Sequence, residues 1–504
     1  MTNFCSDLVL HRRVFQIAIF AGLGGTFLVG FQLSVISFTS PFVKKFINET
    51  WLERYNVPID DQSLTVLWSV IVSIFSIGGV IGSSLSAYLS SKYGKKNCLI
   101  AGNLLILVAA LITGTSKTAN AFEMILLGRF LYGLSGGLTI CIQGQYLGEI
   151  SPKRFRGLTN ATAAVLATLG KFVGQLTGLR ELLGTESLWP LLLATTGIAG
   201  LLQLIALPFF PETPSYLLIQ KGDLEGCLKV MKQLWGQGDH KAELDDMLKE
   251  QAAMKKVKIM NVLELFRDRT IRCQVYLTFV LAAMTSLSGV NAIYFYSFEV
   301  FHTAGFDQEI MPYAILGVGA CDLFSTIVCF FVIERLGRRR LLLWGYGLMA
   351  LVLALLTASF SLEYHFFWLR YCNVALIFLF IVFFGTGPAG VTMPVIAEIF
   401  TQSSRPAALT ILRILFWAGQ YLVGIAFPHL IRYLDSFCFL VFMGFIAITW
   451  IILFRYLPET KGKSLMDIKK EFNRFNKTEG TVDNNSSEGL HNMHIMLGGL
   501  EGSA

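Results

Sequence analysis

Charge is scarce in this 504-residue chain. Asp and Glu number 34 and Lys and Arg 41, so charged residues make up 15% of the sequence and hydrophobic ones 54%. A soluble domain of this size needs more polar surface, so the composition points to lipid as the solvent. Paired cysteines are also missing. Cys98, Cys141, Cys273, Cys321, Cys329, Cys372 and Cys438 are scattered over apolar stretches, which excludes a disulfide framework or a zinc site and leaves them as packing residues. No hydrolase elbow, phosphate loop or metal-ligand spacing is present, so no enzyme, cofactor or metal is expected. The formal charge of +7 sits in short clusters between apolar runs rather than along one soluble face, which argues against a nucleic-acid partner.

What the chain does have is a succession of apolar runs about 20 residues long, the length that carries a helix across a bilayer with every backbone amide satisfied internally. Twelve spans are expected, at Phe15 to Ile36, Leu67 to Leu89, Leu99 to Thr115, Phe122 to Leu147, Leu158 to Leu179, Leu188 to Phe209, Val275 to Phe298, Pro312 to Ile333, Leu341 to Phe360, Tyr371 to Glu398, Ala407 to Leu430 and Phe437 to Leu457. The first follows His11, Arg12 and Arg13 like a signal peptide, but it is too long and lacks a small-residue cleavage site, so it is expected to be retained. Lys92, Lys95 and Lys96, then Lys153, Arg154 and Arg156, then Arg335, Arg338, Arg339 and Arg340 mark three loops as cytosolic under the positive-inside rule. Both termini and the central segment fall on that side. The sequon at Asn48 falls outside and is a candidate for glycosylation, whereas those at Asn476 and Asn484 lie in the cytosolic tail.

The sequence also repeats itself. SSKYGKKN near Gly94 returns as IERLGRRR near Gly337, YLGEISPKRFRG around Glu149 returns as VIAEIFTQSSRPAA around Glu398, and FPETPSYL at Pro211 returns as LPETKGK at Pro458, each about 245 residues later. An even number of spans per unit makes this a parallel repeat. The expected organisation is a cytosolic N-terminus over 1–14, a six-helix bundle over 15–209, a helical linker over 210–274, a second six-helix bundle over 275–457 and a largely disordered tail over 458–504. In the linker, Leu224, Leu228, Met231 and Leu234, then Leu244, Met247 and Leu248, have helical spacing, while AAMKKVKIM reads equally as a solvated connection. A short helix is expected after Pro458, up to Phe475.

GGTFLVGF, GRFLYGLSGG, PETPSYL, SLSGVNAIYFYS, ERLGRRRL and PETKGK together resemble the facilitative hexose transporters, the sugar porter branch of the major facilitator superfamily, over Phe15 to Lys463. NETW, GLRELLG and GPAGVT are most similar to the family's second class, the branch holding the vertebrate member numbered eleven and the fructose-preferring member. The resemblance implies an all-α major facilitator fold, two six-helix bundles with short intracellular helices, and facilitated diffusion of fructose or glucose across the plasma membrane. It implies a hexose and the bilayer as partners, and a monomer as the working unit.

It also implies a latch of charged residues at the cytosolic helix ends, formed by Glu149, Arg156, Glu212, Arg335, Arg339, Glu398, Arg405 and Glu459, with Arg129 in support. The plain alternative is helix-end anchoring. A sugar site needs amides, hydroxyls and an aromatic face, and span seven offers Ser286, Ser288, Asn291, Tyr294 and Tyr296, interrupted by Gly289. By resemblance, Asn291 takes the place of the family's sugar-binding asparagine. Thr285 and Ser286 stand where many relatives carry paired glutamines, and Met393 replaces a tryptophan. Trp417 matches the family's second tryptophan, and Gln420 stands at a neighbouring asparagine position. Gln175 and Gln32 are further candidates, with helix bridging as the alternative for each. In span ten, GTGPAGVTMP is expected to bend or break the helix and gate the outer side. Lys171 and Asp322 are intramembrane charges, each costly unless hydrated or paired. Both are expected to face the cavity, Asp322 accepting sugar hydroxyls, with a salt bridge or proton site as the alternative. Asp322 also keeps open a proton-coupled symporter, and the scaffold itself a non-transporting sugar sensor, although the tail is short for signalling.

Overall fold

The computed structural model describes residues 12–152, 156–236, 244–245, 247–248, 262–303, 305–362, 368–401, 403–434, 437–463 and 467–472. Among the described residues twelve long helical segments follow one another, and eleven are long and apolar enough to cross a membrane. The twelfth, span five at Arg156–Thr177, is the most polar, because Lys171 and Gln175 interrupt its alanines and leucines. The others run Arg12–Gly22 with Leu23–Phe27 and Leu28–Tyr55 (span one), Asp61–Tyr93, Lys95–Thr115, Glu123–Ile150, and Trp189–Ala194 with Thr196–Ala206 (span six). The second half holds Arg272–Leu287 with Val290–Phe295 and Ser297–Thr303 (span seven), Met311–Leu336, Arg338–Leu362, Leu369–Phe384 with Gly385–Ala389 and Gly390–Ile399 (span ten), Arg405–Leu434 and Cys438–Tyr456.

Span one runs well past its expected end at Ile36. Pro41 lies inside the helix without ending it, and the helix runs on until Asn56 adopts a left-handed conformation (φ 56°) as its C-cap, so Asn48 is an exposed helical residue. Span seven breaks as expected: Gly289 has φ 93°, a region closed to most side chains. Span ten instead widens into a π-turn over Gly385–Ala389, with Pro388 inside it, and then continues. A second π-turn lies at Leu23–Phe27 in span one. Such turns recur at functional sites in helical proteins.

Spans one to six pack mainly on one another and spans seven to twelve likewise, and the halves meet along two main seams, span two on span eleven and span five on span eight. Counted within each half, these are the second and fifth helices of one on the fifth and second of the other, as expected of two copies of one bundle related by a two-fold axis. Spans two and four pack through interleaved glycines. A Cβ on Gly133 would lie 1.9 Å from the Phe75 carbonyl oxygen, and one on Gly82 2.1 Å from that of Leu134. Small residues let helix backbones approach in this way.

In the linker, Leu224–Trp235 is helical, with Asp223 capping the Gly226 N–H at 2.8 Å. Its buried face is Cys227, Val230, Met231 and Leu234; Leu224, expected on that face, is exposed. Leu244 and Met247 pack against the same cluster. AAMKKVKIM and the tail from residue 473 lie outside the described residues. The expected helix after Pro458 is seen at residues 467–472, where Ile468 and Phe472 are buried against the second half.

Gly133→Val forces the backbones of spans two and four apart. The expected outcome is a loss of about 1–3 kcal/mol, the usual penalty of overpacking, read as a lowered thermal midpoint in detergent, whereas Gly144→Val, with nothing within 4 Å of its Cβ position, leaves the midpoint near wild type.

Candidate functional site

Two groups of polar residues stand out, one in the seam between the halves and one at the helix ends that carry the basic clusters. In the seam, the break at Gly289 frees the chain ends on either side, and Asn291 Nδ2 donates to the Ser286 carbonyl at 3.0 Å, bridging the break. Gln420 Nε2 donates to Asn291 Oδ1 at 3.4 Å, and Ser286 Oγ donates to the Phe416 carbonyl at 2.7 Å. Trp417 is fully buried, edge-on to Phe75 at 5.4 Å and in contact with Gly79 of span two. Ser286, Asn291, Trp417 and Gln420 therefore form one cluster where spans seven and eleven meet span two. Thr285 lies beside it, its hydroxyl returned to the Ala282 carbonyl, and Tyr296 donates to the Gly424 carbonyl of span eleven. Met393 is half-buried in span ten.

Gln420 Oε1, Trp417 Nε1 and, in span five, Gln175 Oε1 against Gly319 of span eight are among the described buried side-chain atoms without a hydrogen-bond partner, as is Ser288 Oγ at the break in span seven. Buried polar groups are almost always paired, so acceptors and donors left open in the seam suit a ligand that both donates and accepts.

The seam also holds the two intramembrane charges. Lys171 Nζ lies 2.8 Å from Asp322 Oδ2, with side chains 13% and 1% exposed, so each half supplies one charge. Tyr294 donates its hydroxyl to the same Oδ2 at 2.7 Å, and the ammonium lies 4.3 Å from the Tyr294 ring centroid. Asp322 was expected to offer its carboxylate to a solute; Oδ2 is taken by these two groups. Tyr294 was legible only as an aromatic of span seven, because its partners come from spans five and eight.

Two expectations are corrected. Gln32 lies outside the seam: it is fully buried in the first half, donating to Thr196 Oγ1 at 3.0 Å and accepting from Arg129 Nη1 at 2.9 Å. Arg129 does not belong to the latch. It lies on the same helix as Glu149 but almost six turns away, about 30 Å at the helical rise, and donates to the Gln32 and Val72 carbonyls over the Phe75 ring.

At the basic ends the repeat becomes geometry. Gly94 and Gly337 share one conformation, φ 87° and 91° with ψ 160° in both. The next residue pairs with the conserved-in-repeat glutamate, Lys95 with Glu149 at 2.8 Å and Arg338 with Glu398 at 3.1 Å. The glutamate of each PET phrase reaches back to cap the helix that begins after the glycine, Glu212 accepting from the Lys96 N–H at 3.2 Å and Glu459 from the Arg338 N–H at 3.0 Å. Carboxylates there also meet the positive end of the helix dipole. Arg339 donates to the Phe454 carbonyl, Arg405 to that of Phe400, and Arg335 accepts from Lys461 at its carbonyl. These described contacts all stay within one half. The Arg156 side chain lies outside the described residues.

At the opposite ends the halves touch. Lys44 pairs with Glu299 at 2.8 Å, Phe38 meets Phe298 edge-on at 5.4 Å, and Arg180 donates to the Glu309 carbonyl at 3.2 Å. Tyr313 donates to Glu181 at 2.7 Å, a bond that holds the Glu181 carboxyl below its usual range.

Two six-helix halves, joined by twin seams with open polar atoms between them and touching at one end, define a membrane transporter of the major facilitator type. The chain matches the family model described as "Sugar (and other) transporter" over residues 17–472, and it belongs to that family. It is 41% identical to human solute carrier family 2, facilitated glucose transporter member 11, over 90% of this chain and 92% of that one. It is 39% identical to mouse member 9, over 92% and 86%, and 38% identical to horse member 5, over 91% of each. Among solved structures, the inward open conformation of the xylose transporter XylE from E. coli superposes with a TM-score of 0.73 at 20% identity, covering 91% of this chain and 99% of that one. At that identity the likeness concerns the fold.

Lys171→Met strands the Asp322 carboxylate in a buried seam. The expected outcome is a loss of about 3–5 kcal/mol, typical of removing one partner of a buried pair, with most of it restored in Lys171→Met/Asp322→Asn; equal losses in the single and double variants would show that the pair is not coupled.

Proposed function

We propose that this protein carries hexoses, fructose or glucose, across the plasma membrane by facilitated diffusion. The supporting observation is the set of open polar atoms in the seam: Gln420 Oε1, Gln175 Oε1 and Trp417 Nε1 complement sugar hydroxyls, which donate and accept alike. Asn291, with Thr285, Ser286, Tyr296 and Met393 around it, supplies the rest of the site, and the Trp417 ring an apolar face. The relatives named glucose transporters support the same substrate class. The neutral solute moves down its gradient, without a cofactor.

The units that rock are residues 15–209 and 275–457, working as one monomer. The basic clusters place their ends, the linker and both termini in the cytosol, so the ends joined by Lys44 and Glu299 face outward and the structure represents a state closed to the outside. Rocking would part those outer contacts and bring Glu149, Arg156, Glu212, Arg335, Arg339, Glu398, Arg405 and Glu459 of the two halves together as the inner latch. Asn48, exposed on the outer extension of span one, is the glycosylation site; a glycosidase-sensitive gel shift that disappears in Asn48→Gln is expected, and a shift that persists would place the glycan elsewhere.

The deciding experiment is uptake of labelled fructose and glucose into proteoliposomes, each competed with the other. Uptake should saturate and be indifferent to a pH gradient or membrane potential, and Asn291→Ala should lower kcat/KM about tenfold, the worth of one or two hydrogen bonds. Acceleration by an inward proton gradient would instead establish the symporter reading, and absence of any hexose flux would end the transport assignment.

A further inference from the structure

Lys171 and Asp322 lie in a pathway whose proposed cargo is uncharged, so neither charge has an evident partner there. They come from opposite halves, meet at 2.8 Å and are closed off by the Tyr294 hydroxyl and ring. A Cβ on Gly385, in the π-turn of span ten, would stand 3.4 Å from Asp322 Oδ1, so the pair borders that π-turn as well as the segment of span seven that follows its break. The two members differ in exposure: Asp322 is 1% exposed and Lys171 13%.

An isolated charge in such a seam attracts its opposite strongly, because the surroundings screen poorly. Paired, the two charges leave the seam neutral. We propose that Asp322 acts as a built-in counter-anion, occupying the ammonium that a solute carboxylate would otherwise bind, and that the Lys171–Asp322 pair thereby sets the specificity of the pathway for neutral over anionic solutes. The carboxylate is a resident substitute for an acidic substrate. Removing it, while keeping Lys171, converts the seam into a site for a sugar acid.

The neutral cargo is that of the proposed function, but the filter is tested separately from it. The probe is labelled D-glucuronate, a hexose with a carboxylate at C6, measured beside labelled glucose and fructose in proteoliposomes containing wild type, Asp322→Asn, Lys171→Met/Asp322→Asn and Lys171→Met/Asp322→Lys. The ratio of glucuronate to hexose uptake should rise at least tenfold in Asp322→Asn and fall back to the wild-type ratio when Lys171 is also removed. Lys171→Met/Asp322→Lys, which moves the lone cation to the other half, should show the same rise and serves if Asp322→Asn does not fold. Glucuronate should also raise the thermal midpoint of the lone-cation variants and not that of wild type, a readout that survives failure of the hexose assignment. A folded lone-cation variant that gains neither glucuronate uptake nor glucuronate protection overturns the proposal, as does an equal gain in the doubly neutral variant.

Discussion

Hydrocarbon offers no partner to a peptide group, and the rest of this structure follows from that constraint. Wherever the chain faces lipid it must be helical, so irregular backbone is confined to places lined by protein. Three departures among the described residues illustrate this. The π-turn at Leu23–Phe27 has Gly24, Gly25 and Thr26 buried, with Gln143 Oε1 accepting from the Thr26 N–H at 3.0 Å. The break at Gly289 is bridged by the side chain of Asn291. In the π-turn at Gly385–Ala389, Gly385, Gly387 and Pro388 are buried, with Ser325 and Gly345 against the glycines. Two of the three border the seam between the halves, where a solute needs polar atoms that an unbroken helix would keep to itself.

Duplication explains how a chain of this length acquires two matching ends. The Gly94 and Gly337 turns, their following cations and the capping glutamates of the PET phrases perform the same local task in each half. Each task is helix-end chemistry, satisfying amides that a helix start leaves open. The same residues are thus anchored at rest and stay close to the surface, as the proposed latch between halves requires. The seam has no such symmetry. Lys171 and Gln175 of span five face Asp322 and Gly319 of span eight, whereas span two meets span eleven through Phe75, Gly79 and Trp417. Asymmetric contents in a symmetric frame are how a duplicated scaffold acquires a site for an asymmetric solute.

Much of this was legible from residue order alone. Run length identified twelve spans because the bilayer fixes helix length, and recurrence of three phrases identified two bundles. Gly289 marked the break in span seven because few other residues adopt its backbone angles. The extent of span one was not legible, since its extension past Ile36 is polar and holds Pro41, a usual helix stop that does not end this helix. Nor was the sorting of buried amides. Gln32 and Gln175 look alike in sequence, but one is bound by Arg129 and Thr196 and the other is left open; the difference lies in partners from other spans. Arg129 was misplaced for the same reason, because resemblance supplied a role without the depth in the membrane at which the residue sits. Lys171 and Asp322 were recognisable as charges in need of partners, and the structure shows that they serve each other.

In the proposed cycle two rigid halves exchange one closed end for the other around the seam. A pair of spin-label distances in proteoliposomes tests this, one across the ends that touch, between Glu49 and Asp307, and one across the ends with the basic clusters, between Gln145 and Pro406. The two distances should change in opposite directions, the first lengthening as the second shortens, with hexose altering the populations. Distances that lengthen together, or a second distance that stays fixed while the first moves, would contradict alternation of the halves.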